Sequence, residues 1–147
     1  MFGQKGRAHR KGRLDLDDLQ SARNNSASVA YRTSKLCNIL FTRELAHRLA
    51  PHGVTANSFS PGFVATRFGD EAGGLPALAL RAGKLFAKTP EEGARTLVYL
   101  ASEPGISGVS GEFFYNCCPG RIMAEASDAG KGRRLWTESE RIADCAE

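Results

Sequence analysis

No run of roughly 18 apolar residues occurs in the chain, so no membrane-spanning helix is expected. The opening stretch, Met1 to Arg13, is basic and polar and lacks the apolar segment of a secretory signal. A cytoplasmic location is the expectation that follows. The four cysteines, Cys37, Cys117, Cys118 and Cys145, form no CxxC pair. The histidines, His9, His47 and His52, do not stand near them at ligand spacing. No metal site is therefore expected, and the thiols read as reduced and structural. No internal repeat or low-complexity tract is present.

What remains is ordinary globular material. The chain's 147 residues suffice for one domain with a buried core. Hydrophobic residues at 41% and charged ones at 24% fit a soluble protein. The net charge of +4 comes largely from Lys5, Arg7, Arg10, Lys11 and Arg13. Such a run can bind nucleic acid, but it holds no aromatic residue for base stacking and no helix-turn-helix pattern surrounds it. It reads as a solvated tail, the alternative being contact with a phosphate-bearing cofactor. A nucleic-acid partner would rest on charge alone and is not expected.

Along the chain, residues 1–26 are polar and poorly periodic, which predicts a poorly ordered start. A long helix is predicted from about Ser28 to Ala50, on an apolar stripe of Val29, Leu36, Ile39, Leu40, Leu45 and Leu49. Pro51 and Gly53 stop it. Val54 to Ser60 favours strand and ends at Pro61-Gly62. Helix, short turn and strand form the second half of a βαβ crossover, which implies parallel pairing. Asp70 to Lys88 is mixed. Thr89, Pro90 and Glu92 are the N-cap, first helical residue and capping-box partner of a further helix. Its buried face is predicted as Ala94, Leu97, Val98 and Ala101. A glycine-rich turn, Gly105 to Gly111, leads to an aromatic strand, Glu112 to Tyr115. An amphipathic segment around Leu135, Trp136 and Ile142 closes the chain. The class is α/β, helix-rich, with two clear strands.

The chemistry concentrates in Tyr31-Arg32-Thr33-Ser34-Lys35. Residues four apart on a helix emerge side by side, and Asn38 lies further along the same stripe. A phenol ordinarily titrates near pH 10, and an adjacent ammonium favours its ionised form. Tyrosine can then act as acid in carbonyl reduction or base in alcohol oxidation. The spacing alone also arises by chance on exposed helices. The context adds that the following strand runs into Ser60-Pro61-Gly62-Phe63-Val64-Ala65-Thr66, and ligands of parallel sheets sit beyond strand carboxyl ends. An ordinary strand-exit turn is the other reading of that segment.

The sequence from Ala30 to Ala46, together with Ser60 to Thr66, resembles the short-chain dehydrogenases/reductases, in the branch of retinol dehydrogenases and protochlorophyllide reductases. Ala8-His9, Gly12 to Leu19 and Leu135 to Glu140 extend the likeness over nearly the whole chain. The resemblance implies one partial domain over 1–147, the C-terminal half of a doubly wound, Rossmann-like parallel-sheet fold. It implies an oxidoreductase passing hydride between NAD(P)(H) and a small-molecule alcohol or carbonyl. Tyr31 would exchange the proton, and Lys35 would assist it and hold the nicotinamide ribose. Pro61, Gly62, Val64 and Thr66 would hold the carboxamide and a neighbouring phosphate. Asp70 to Lys88 would be the substrate lid, its leucines suiting an apolar substrate. The likeness tilts the cofactor toward NADP over NAD.

Three family features are missing. No glycine-rich dinucleotide fingerprint occurs, because Gly3, Gly6 and Gly12 lie in a polar stretch. The Asn-Ala-Gly segment is also absent. Gly6 stands where the family's serine precedes the Ala-His histidine, here His9. Losing such a donor costs about 10²–10³ in rate. These departures lead to the expectation of a truncated product with impaired activity, the alternative being an inactive fragment without nucleotide binding. An unpaired strand edge would then invite self-association.

Overall fold

The computed structural model describes residues 14–20, 23, 26–64 and 87–144. The stretches 1–13 and 65–86, with Thr66 and most of the Asp70–Lys88 segment, lie outside the described residues.

Helix α1 spans Ala27–Leu49 and passes into one 3-10 turn, Ala50–His52. Gly53, at φ 67, ends that turn in the left-handed conformation, as the Pro51–Gly53 punctuation predicts. Leu36, Ile39 and Leu40 are buried along its inner face. Strand β1 covers only Ser58–Ser60. The predicted strand from Val54 is thus shortened, because the segment opposite it, Val109 to Gly111, is irregular. Asn57 Nδ2 donates to the Val109 carbonyl at 2.7 Å, and Ala56 N donates to Ser110 Oγ at 3.1 Å. Side chains thus take part of the bonding a ladder would use, beside one backbone bond from Gly111 N to the Ala56 carbonyl at 2.7 Å.

Helix α2 spans Pro90–Ser102, and its capping box is formed as the sequence predicts. Strand β2, Phe113–Tyr115, pairs parallel with β1, Phe59 opposite Phe114. Its parallel pairing meets the βαβ expectation. A third strand, β3 at Cys118–Pro119, turns back antiparallel on β2 and was not legible from the sequence. Helix α3 spans Ala129–Asp144.

Strand side chains alternate between faces, and β2 divides the core accordingly. Phe113 joins Leu14, Leu36, Ile39, Leu40, Ala126 and Leu135 in one cluster beneath α1 and α3, with Tyr115 packed at its margin. Phe114, 1% exposed, faces the other way, its ring 6.4 Å from that of Tyr99 on α2. Helices therefore cover both sheet faces, which is the layering of a doubly wound α/β fold. Leu14 is buried in this core although the sequence around it reads as part of a loose start.

One expectation is overturned. The stripe Ala94, Leu97, Val98 and Ala101 points outward, with Leu97 52% and Val98 60% exposed. Gly93 and Thr96 are the inward residues of α2. The physical reason is close approach: a Cβ on Gly93 would lie 2.7 Å from Val64 Cγ2, so the helix leans in on its smallest residue. No helix among the described residues is long and apolar enough to cross a membrane.

Candidate active site

Tyr31 and Lys35 sit in the first half of α1. Its aliphatic residues anchor the inner face, leaving the other side to polar groups. The Lys35 Nζ stands 5.1 Å from the Tyr31 ring centroid, so the two groups meet as their spacing predicts. Tyr31 is 48% exposed, which leaves its phenol within reach of a ligand. Ser34 Oγ donates to the Tyr31 carbonyl at 2.8 Å, a bond within the helix that keeps the serine away from the phenol.

Asn38 lies two turns on and is exposed. With Ser34 and Cys37 it lines a groove of about 600 Å³ against Leu19, Leu135 and Ile142. Burial pushes the Cys37 thiol above its ordinary value, and a hydrogen bond with its own backbone offsets only part of this. Cys37 is thereby a neutral wall rather than a nucleophile.

The second part is the exit of β1. Pro61 is exposed, and Gly62 turns the chain at φ 86, a left-handed value that favours glycine. Gly62 N reaches Ser60 Oγ at 3.4 Å. Val64 forms a parallel bridge with Lys88, whose N–H donates to the Phe63 carbonyl at 2.9 Å. Pro61, Gly62 and Val64 are thus brought onto one bend, while Thr66 lies outside the described residues.

Topology relates the two parts. Residues 50–57 allow only a short reversal between α1 and β1, so the helix runs back along the strand and packs on it. The amino-terminal half of α1, with Tyr31 and Lys35, therefore belongs to the carboxyl end of the sheet. The Pro61–Gly62 bend leaves from that same end. Ligands of doubly wound proteins bind there.

Lys88, Tyr115 and Asn116 also gather at this exit, and sequence reasoning missed all three. The Lys88 ammonium donates to Asn116 Oδ1 and stands 5.2 Å from the Tyr115 ring centroid. Asn116 and Cys117 adopt positive φ, 51° and 59°, in the β2–β3 turn. The asparagine was the one local hint of such a turn. Nearby on α2, hydrogen bonds from its own backbone and then from Thr89 hold the Glu91 carboxyl below its ordinary range.

The family model described as enoyl-(acyl carrier protein) reductase matches residues 14–117, more than half of the chain. The chain is 43% identical to human retinol dehydrogenase 14 over 136 residues, covering 90% of itself and 40% of that protein. It is 39% identical to the human WW domain-containing oxidoreductase, covering 89% of itself and 32% of that protein. A crystal structure of an uncharacterised protein from Mycobacterium paratuberculosis matches with a TM-score of 0.65 at 29% identity, over 93% of this chain and 47% of that one. The curated relatives are named as a dehydrogenase and an oxidoreductase. The chain belongs to the short-chain dehydrogenase/reductase family, in its retinol dehydrogenase-like branch. It spans less than half the length of these relatives.

Proposed function

We propose that this chain carries the proton-transfer half of a dehydrogenase/reductase that moves hydride between NAD(P)(H) and an alcohol or carbonyl carbon. The observation that carries the reading is the exposed Tyr31 beside the Lys35 ammonium, 5.1 Å from ring centroid to nitrogen, toward the carboxyl end of the parallel β1–β2 pair. When bound, the nicotinamide would supply the hydride chemistry. In oxidation, the Tyr31 phenolate would take the proton released as the alcohol O–H bond breaks, with the carbinol hydrogen passing as hydride to the oxidised nicotinamide when bound. In reduction, the Tyr31 hydroxyl returns the proton to the forming alkoxide. The Lys35 charge stabilises the negative charge that develops on the phenol oxygen and offers donors to the cofactor ribose.

The glycine at the bend supports the nicotinamide reading. Gly62 carries no side chain at the bend, and its φ of 86 is one that glycine adopts freely, which favours close approach of a ligand to the backbone there. Pro61, Gly62, Val64 and Thr66 are the residues that would hold the carboxamide and phosphate. NADP is favoured over NAD by likeness to the retinol dehydrogenases, and the same likeness favours an apolar substrate. A cytoplasmic setting remains part of this reading.

A second reading has its own observation. Among the described residues, no strand pairs with the outer edge of β1, and Leu97 and Val98 stand exposed on the outer face of α2. No glycine-rich phosphate loop occurs in the sequence. These residues alone would then bind no nucleotide, and the exposed apolar stripe would drive self-association.

Titration of the purified chain with NADPH and NADH, followed by nicotinamide fluorescence, separates the two. Saturation at micromolar concentration supports the first reading. Y31F should then retain binding and lose turnover by about 10²-fold or more. No saturation up to millimolar nucleotide supports the second.

A further inference from the structure

Three parts of the chain meet on Lys88. Its backbone returns onto the bend through the bond to Phe63 and the bridge with Val64. Its ammonium reaches across the sheet to Asn116 and the Tyr115 ring, beyond β2. Its Cε and Nζ both lie 3.5 Å from the point where a Gly62 Cβ would stand.

Lys88 is half-buried as a residue, and its ammonium is held at the surface by two partners. Asn116 supplies an acceptor, and the Tyr115 ring supplies a face that attracts cations. The acceptor is itself held, because Asn116 sits in a turn at φ 51, a conformation asparagine tolerates better than most residues. The start of α2 offers no competing role. Thr89 Oγ1 accepts from Glu92 N, and the Glu92 carboxylate accepts from Thr89 N, so the capping box is closed on itself. The Lys88 side chain is therefore directed toward the bend by Asn116 and the Tyr115 ring.

We infer that Lys88 is the positioning residue of the Pro61–Gly62 bend. It acts through Gly62, setting the direction in which the Phe63–Val64 backbone leaves the strand. Its consequence for nucleotide binding rests on the proposed function, but its effect on the bend does not.

The test uses the full chain, labelled with nitrogen-15, as wild type, K88R, K88M and N116A. In the free protein, K88M should shift the Gly62 and Val64 amide resonances and speed Gly62 hydrogen exchange by about tenfold or more. K88R keeps a cation over Tyr115 and should restore most of the wild-type values. N116A removes the acceptor without touching Lys88 and should move Gly62 in the same direction. It serves as the decisive variant should K88M fail to fold. Gly62 amides unmoved in K88M, or in N116A where K88M is lost, overturn the inference. NADPH titration adds a second arm, in which K88M weakens binding about tenfold and K88R stays within about twofold. Wild-type binding with no loss in K88M also overturns it. Should wild type bind no nucleotide, the proposed function fails alone and the amide comparison still decides.

Discussion

A Cβ built on Gly93 would fall 2.7 Å from Val64 Cγ2, nearer than side chains tolerate. Helix α2 is thus seated directly on the strand exit, at the residue expected to hold a cofactor. Replacing Gly93 by alanine adds helix propensity worth about 1 kcal/mol but overpacks the contact at about 1–3 kcal/mol. G93A should therefore lower stability by about 1 kcal/mol in wild type. In a V64A background the clash disappears, and the same substitution should stabilise instead. Denaturant melts of the four proteins check this, and an unchanged sign in the V64A background would refute the contact.

Helix α1, the capping box at Thr89 and the tyrosine–lysine pair were legible because each is encoded locally, by apolar spacing, cap chemistry and helical pitch. The inward face of α2 was not. Apolar periodicity marks Leu97 and Val98 as core, but the tertiary contact of Gly93 with Val64 rotates the helix so that glycine and Thr96 face inward. Strand length was misread at Val54 for a similar reason. Propensity favours strand there, yet the irregular segment Val109 to Gly111 meets it through two side-chain bonds and a single backbone bond rather than a regular ladder. The Lys88 contacts join residues far apart in the chain, and no short-range pattern announces them.

Trp136 stacks on Phe41 with ring centroids 4.8 Å apart, and the Arg48 guanidinium caps it at 4.5 Å. This three-layer stack joins α3 to α1. Because the ring is only half-buried, W136A should cost about 2 kcal/mol, less than a fully buried aromatic. W136F should cost under half as much. Trp136 is the single tryptophan of the chain, so its fluorescence reports this junction directly. F41A should redshift that emission in the native state; an unaltered spectrum would show that the stack does not form.

The exposed stripe of α2 bears on association. Leu97 and Val98 together present an apolar surface that water disfavours. Wild-type chain at tens of micromolar should sediment heavier than a monomer under the second reading. A charged pair, L97E with V98E, should shift the population to monomer without lowering the melting temperature, since neither side chain packs inward. Monomeric wild type at these concentrations would remove self-association from the account.

Cys37 gives a pH dependence whose sign can be worked out. Its thiol is raised above the ordinary 9.0 by burial, so the native state keeps the proton after the unfolded chain has begun to lose it. The unfolded state then binds fewer protons, and stability falls as pH rises above about 9. Below that point both states are protonated and Cys37 contributes no slope. C37A creates a small cavity and lowers stability by an offset that does not vary with pH. The gap between wild type and C37A should therefore be constant from pH 6 to 8 and narrow above pH 9. Alkylation should follow the same order, the exposed Cys118 reacting well before Cys37 at neutral pH. Parallel stability curves for the two proteins up to pH 10 would show that burial does not hold the Cys37 proton.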